Sequence, residues 1–236
     1  FNVDACRAIV DRMSSSCRTS SPDSDLRTFQ EAGMEVLAEY DHAHENPGMS
    51  GITTGWPGLD LMTGGWQNGD LIALVARMGV GKTYAMIYMA VAARRSGKSV
   101  LFTTMEMTIA QIVRRVLAME TGITPEFIRK GMLSRHAERR LRNYVDTIAQ
   151  ANRFNFYAGS FSKKLSDLDL VQSELTPDIH YIDGGYLAEP EGVPKNASRL
   201  DKVAAVFNGY KRMTITHDRP IVVSTQFSRA AGKRGK

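Results

Sequence analysis

Hydrophobic positions along this chain gather into short apolar runs separated by longer stretches with helical spacing. Five runs have strand length: one from Leu71 to Ala76, then residues 99–104, 154–157, 179–183 and 221–225. Helical patterns occupy residues 84–95, 108–120, a segment opened by Thr124-Pro125-Glu126, 137–151 and 198–213. Threonine before proline is a strong helix start, because the hydroxyl caps and the ring needs no amide partner. Strands alternating with helices predict a parallel α/β sheet covered on both faces. Upstream, Ser24-Asp25 is a plausible cap for a helix running towards His44. Its apolar positions Leu26, Phe29, Val36, Leu37 and Tyr40 form a narrow stripe. Two readings stay open for that stripe, packing on its own domain or docking on a neighbouring subunit.

The remaining segments are punctuation. Residues 1–20 hold a short helical stretch near 5–13 and a serine-rich patch, Ser14 to Ser21, that reads as a linker or boundary. Pro47-Gly48 cuts the upstream helix from the glycine-rich stretch beyond it. Six glycines between Gly51 and Gly69 predict turns and close approaches there, not a regular element. Residues 184–196, with Pro190, Gly192 and Pro194, read as a loop.

Composition narrows this little. A chain of 236 residues with 43% apolar content can bury a sizeable core, as one domain or a domain with an appendage. A net charge of +5 fits an anionic partner without demanding one. Cys6 and Cys17 lack metal-ligand spacing and predict reduced thiols in a cytoplasmic protein. No apolar run approaches ~18 residues, so no membrane span is expected. The start, Phe1-Asn2-Val3, is no signal peptide, and the missing initiator Met predicts a piece of a longer protein.

The chemistry centres on the run from Leu71 and its continuation, Ala76-Arg77-Met78-Gly79-Val80-Gly81-Lys82-Thr83. Strand, glycine loop, lysine plus hydroxyl, helix is the layout of a phosphate-binding P-loop. Turned-in amides and the helix start favour an anion there. Lys82 would reach terminal phosphates of ATP, and Thr83 would hold Mg²⁺. The usual P-loop begins with glycine where this chain has Ala76. Ligands of a parallel sheet sit at the carboxyl ends of its strands, where Glu106, Asp183 and Gln226 fall. Asp183 would hold Mg²⁺ as the Walker B carboxylate. Glu106 would orient and deprotonate the attacking water. Gln226 would contact the γ-phosphate or the water. The basic helix, with Arg139, Arg140 and Arg142, reads as a solvated face or a nucleic-acid contact.

A resemblance then becomes specific. The residues Thr53-Thr54-Gly55-Trp56, Leu59-Asp60, Thr63-Gly64-Gly65-Trp66-Gln67 and Gly69-Asp70-Leu71 resemble the approach to the RecA-like motor of DnaB-family replicative helicases. Their P-loops also often begin Ala-Arg, so Ala76 becomes support. Met105-Glu106-Met107-Thr108 with Gln111 and Arg115 is similar to the family's stretch around the catalytic glutamate. Ile182-Asp183 matches the Walker B aspartate, and Ser224-Thr225-Gln226-Phe227-Ser228-Arg229 the γ-phosphate sensor. Gly184-Gly185-Tyr186-Leu187 departs from the family's Tyr-Leu-Gln.

The resemblance implies a RecA-like P-loop NTPase fold at residues 50–236, its C-terminal part missing. A linker helix at 24–46 would precede it, after a remnant of an N-terminal domain at 1–23. It further implies a hexameric ring that encircles single-stranded DNA, moves 5′ to 3′ and hydrolyses ATP between subunits, with a primase and a helicase loader as partners and a bacterial, phage or plasmid source. Arg229, Lys233, Arg234 and Lys236 would bind DNA phosphates. The basic group that completes a neighbour's ATP site would lie beyond Lys236. A recombinase or clock-type ATPase shares the fold and the glutamate. A nucleotide-binding assembly module without catalysis is the reading from another class.

Overall fold

The computed structural model describes residues 27–45, 48–151, 153–158, 164–190, 192–194 and 196–226. The chain divides into two compact units, Phe1–Gly48 and Met49–Lys236. In the first, helix α1 (Phe29–Glu45) opens on a reciprocal cap. The Thr28 hydroxyl accepts from the Glu31 amide at 3.2 Å, and the Glu31 carboxylate accepts from the Thr28 amide at 2.8 Å. Thr28 thus caps the described helix, while the predicted cap Ser24-Asp25 lies outside the described residues, as do Leu26, Cys6 and Cys17. Phe29, Val36, Leu37 and Tyr40 are all exposed on it.

The second unit runs α2 (Pro57–Thr63), β1 (Leu71–Ala76), α3 (Lys82–Arg95), β2 (Val100–Thr104) and α4 (Ile109–Thr121). It continues α5 (Pro125–Lys130), α6 (Arg135–Ala151), β3 (Phe154–Ala158), α7 (Leu165–Leu175), β4 (Ile179–Asp183), α8 (Arg199–His217) and β5 (Ile221–Gln226). The five strands form one parallel sheet in the order β1-β5-β4-β2-β3. Successive side chains of a strand point to opposite faces, and both faces here are apolar. Tyr181, Phe102 and Val222 pack with Met86 and Ile87 of α3 and Ile112 of α4. Their neighbours Ile182, Ile221 and Val223 pack instead with Leu168 of α7 and Val206 and Tyr210 of α8.

A histidine, His180, is fully buried in that second layer. His180 Nε2 meets the Thr103 hydroxyl at 2.7 Å, and Nδ1 meets Gln172 Oε1 at 2.9 Å. Burial pushes its pKa down to about 3, so a neutral ring pins α7 to β2 and β4.

Three sequence expectations need correction. The glycine-rich stretch contains a regular element, α2, with Pro57 in its first turn and Gly64 closing it in the left-handed region. Helix α7 occupies a stretch where the apolar pattern predicts no element. The predicted loop after β4 begins with a 3₁₀ turn, Gly185–Leu187. Among the described residues no helix is long and apolar enough to cross a membrane.

Candidate active site

β1 delivers the glycine loop to the carboxyl edge of the sheet, and α3 leaves from it. Gly79 (φ 79°) and Gly81 (φ 99°) sit in the left-handed region, where a side chain would strain the backbone. Gly81 is also the cap residue of α3, so the free amides of the helix's first turn face the loop. Lys82 Nζ lies across it, donating to the carbonyls of Ala76 (3.2 Å) and Arg77 (3.3 Å). Met78 and Val80 are exposed.

Thr83, one residue on, reaches the next strand but one. Its hydroxyl donates to Asp183 Oδ2 at 2.9 Å. The Ser224 hydroxyl donates to Asp183 Oδ1 at 2.8 Å and accepts from the Gly184 amide at 2.8 Å. Asp183 is fully buried at the end of β4. Burial pushes its carboxyl above the ordinary range, the two hydroxyls pull back, Glu106 adds to the rise and Arg115 opposes it.

Glu106 lies two residues past the carboxyl end of β2, in the turn before α4. That turn is tightly held. The Met105 amide donates to the Asp183 carbonyl at 2.9 Å, extending the pairing of β2 with β4. The Thr104 hydroxyl accepts from the Met107 amide at 3.1 Å, and Thr108 caps α4 in a box with Gln111. Glu106 Oε1 then accepts from Gln226 Nε2 at 3.1 Å and from the Tyr186 hydroxyl at 3.0 Å.

Lys82, Thr83, Asp183, Glu106 and Gln226 are therefore brought to one sheet edge. Arg229, Lys233, Arg234 and Lys236 lie outside the described residues. Tyr186 and Ser224 were not predicted to touch the carboxylates. Ser224 had a signal, as the last fully buried position of β5 and a hydroxyl in an apolar strand. Tyr186 had none, because two glycines separate it from Asp183. Arg115 reaches the site's flank, its guanidinium 4.7 Å from the Tyr84 ring centre. An ammonium in a glycine loop, a hydroxyl beside a buried carboxylate and a second carboxylate suit a polyphosphate with a divalent cation.

A parallel sheet whose first strand feeds such a loop is the architecture of RecA-like ATPase domains. The chain belongs to the DnaB-like helicase C-terminal domain family, whose model matches residues 51–236. It is 28% identical over 225 residues to the replicative DNA helicase DnaB of Rickettsia typhi, covering 88% of this chain and 45% of that protein. The namesake from Treponema pallidum is 32% identical over 184 residues, covering 77% and 42%. The chain thus spans less than half the length of these relatives. Among solved structures, one of a DnaB-like replicative helicase, determined with its interactions with primase, superposes at TM-score 0.76 with 22% identity, covering 89% of this chain and 52% of that one. A solved ATPase domain superposes at 0.78 with 21% identity, covering 89% and 75%.

Proposed function

We propose that this chain is the motor domain of an ATP-driven replicative DNA helicase, acting as a hexameric ring that moves 5′ to 3′ on single-stranded DNA. The observation that carries the reading is the meeting of Lys82, Thr83, Asp183, Glu106 and Gln226 at one sheet edge in a member of this family. The relatives' name, replicative DNA helicase, supplies the reaction. A primase is the natural partner, since the helicase of similar structure is described as interacting with one. A loader is the partner a closed ring requires.

Lys82 and the loop amides bind the β- and γ-phosphates. Among the described residues no three His, Cys, Asp or Glu side chains converge as metal ligands. Mg²⁺ would therefore rest on Thr83, on Asp183 and on phosphate oxygens. A hydroxyl beside a buried carboxylate is an oxygen donor set that fits it, and the ion would offset phosphate charge. Glu106 orients a water against the γ-phosphorus and takes its proton. The water oxygen bonds to phosphorus, the bond to the β–γ bridging oxygen breaks, and ADP leaves with the electron pair. Gln226, released from Glu106 to the γ-phosphate, passes the change to the segment after β5.

Two variants separate binding from chemistry. Lys82→Ala is expected to lose ATP affinity. Glu106→Gln is expected to keep affinity and lose turnover by roughly 10²–10⁴-fold. Nucleotide titration and single-turnover hydrolysis read both. Near-normal hydrolysis by the glutamine variant would remove Glu106 from the role of base.

A further inference from the structure

We propose that Tyr186 is a positioning residue for Glu106: its hydroxyl and the Gln226 amide both hold Oε1, so that Oε2 is the oxygen presented to water. This rests on the reading of Glu106 as the base. A carboxylate on a flexible two-carbon stem has many rotamers, and a base must meet its proton within hydrogen-bond reach. Two neutral donors on one oxygen fix the plane of the group without neutralising it.

The segment after Asp183 is built to make this contact. Gly184 adopts φ 79°, and a Cβ there would stand 2.7 Å from Glu106 Cγ, so only glycine lets the chain pass beside the carboxylate. Gly185 abuts Val223, where a Cβ would fall 2.3 Å from Cγ1. The turn then closes through the Leu187 amide on the Gly184 carbonyl at 2.8 Å. It is anchored by the Tyr210 hydroxyl on the Gly185 carbonyl at 2.9 Å. Tyr186 is carried on that anchored turn. Burial, with the nearby Glu106, raises its phenol to about 12, so it remains a donor wherever the enzyme works.

The geometry also divides the labour between the two donors. Gln226 ends β5 and is the one proposed to leave for the γ-phosphate. Tyr186 remains on Oε1 when it goes, which keeps Glu106 aimed while the water attacks.

The test is Tyr186→Phe in the full-length protein, with Glu106→Gln measured beside it. The ring and its packing stay, and only the donor goes. The expected result is kcat lower by about tenfold, with KM for ATP and the thermal midpoint unchanged. Wild-type kcat in Tyr186→Phe while Glu106→Gln is inactive would overturn the positioning role and leave the base intact. A parallel loss of ATP affinity and thermal stability would overturn it as well, showing a merely structural tyrosine. Turnover by Glu106→Gln would remove the base, and the proposal with it.

Discussion

Asp183 receives two hydroxyls, and neither carries a charge. Thr83 and Ser224 satisfy its oxygens, but burial, with Glu106 nearby, holds the carboxyl above its ordinary range. A carboxyl raised in the folded state favours folding when protonated, and it loses that advantage as pH rises through its shifted value. Asp183→Asn should therefore stabilise the nucleotide-free protein at neutral pH, by about 2–4 °C for each ~1 kcal/mol relieved. The gain should fade in acid, where the wild-type side chain is also neutral. The same variant should lose Mg²⁺-dependent hydrolysis. Thermal melts at neutral and acidic pH check the first part. A lower midpoint at neutral pH would mean that the ionised carboxylate stabilises the fold.

At the scale of elements, the sheet and the site meet in the tight passage after β4. Gly185→Ala would set a methyl 2.3 Å from Val223 Cγ1 and 3.3 Å from the Tyr210 ring. Overpacking of that kind costs about 1–3 kcal/mol, which urea unfolding would read directly. Unchanged stability would show that the turn can shift, and would weaken its claim to hold Tyr186 in place. The strands bearing the site were legible in sequence because each is a bounded apolar run, as Ile221, Val222 and Val223 before Ser224 illustrate. Helix α7 was not legible, for a physical reason. Its buried positions are Leu165, Leu168 and Gln172, so the stripe is interrupted by a glutamine that faces the core to bond His180. Helix α2 was hidden by surrounding glycines, although Pro57 marks its start. Tyr186 needed the fold, since only a left-handed Gly184 brings it round to Glu106.

For the whole molecule, the family is legible from the ordered motifs between Thr53 and Gln226, and the family match at residues 51–236 bears that out. The assembly is less legible. Helix α1 exposes Phe29, Val36, Leu37 and Tyr40, the stripe for which the sequence allows packing on its own domain or docking on a neighbouring subunit. In the proposed motor, hydrolysis at the Lys82–Asp183–Glu106 edge drives travel along one strand of DNA. Strand displacement by the full-length protein on forks with a single free tail tests it most directly. ATP-dependent opening of forks with a 5′ tail, absent for 3′ tails and for Lys82→Ala, is the predicted result. Duplexes left annealed with ATP, or opened only from a 3′ tail, would show that this edge does not drive 5′ to 3′ travel.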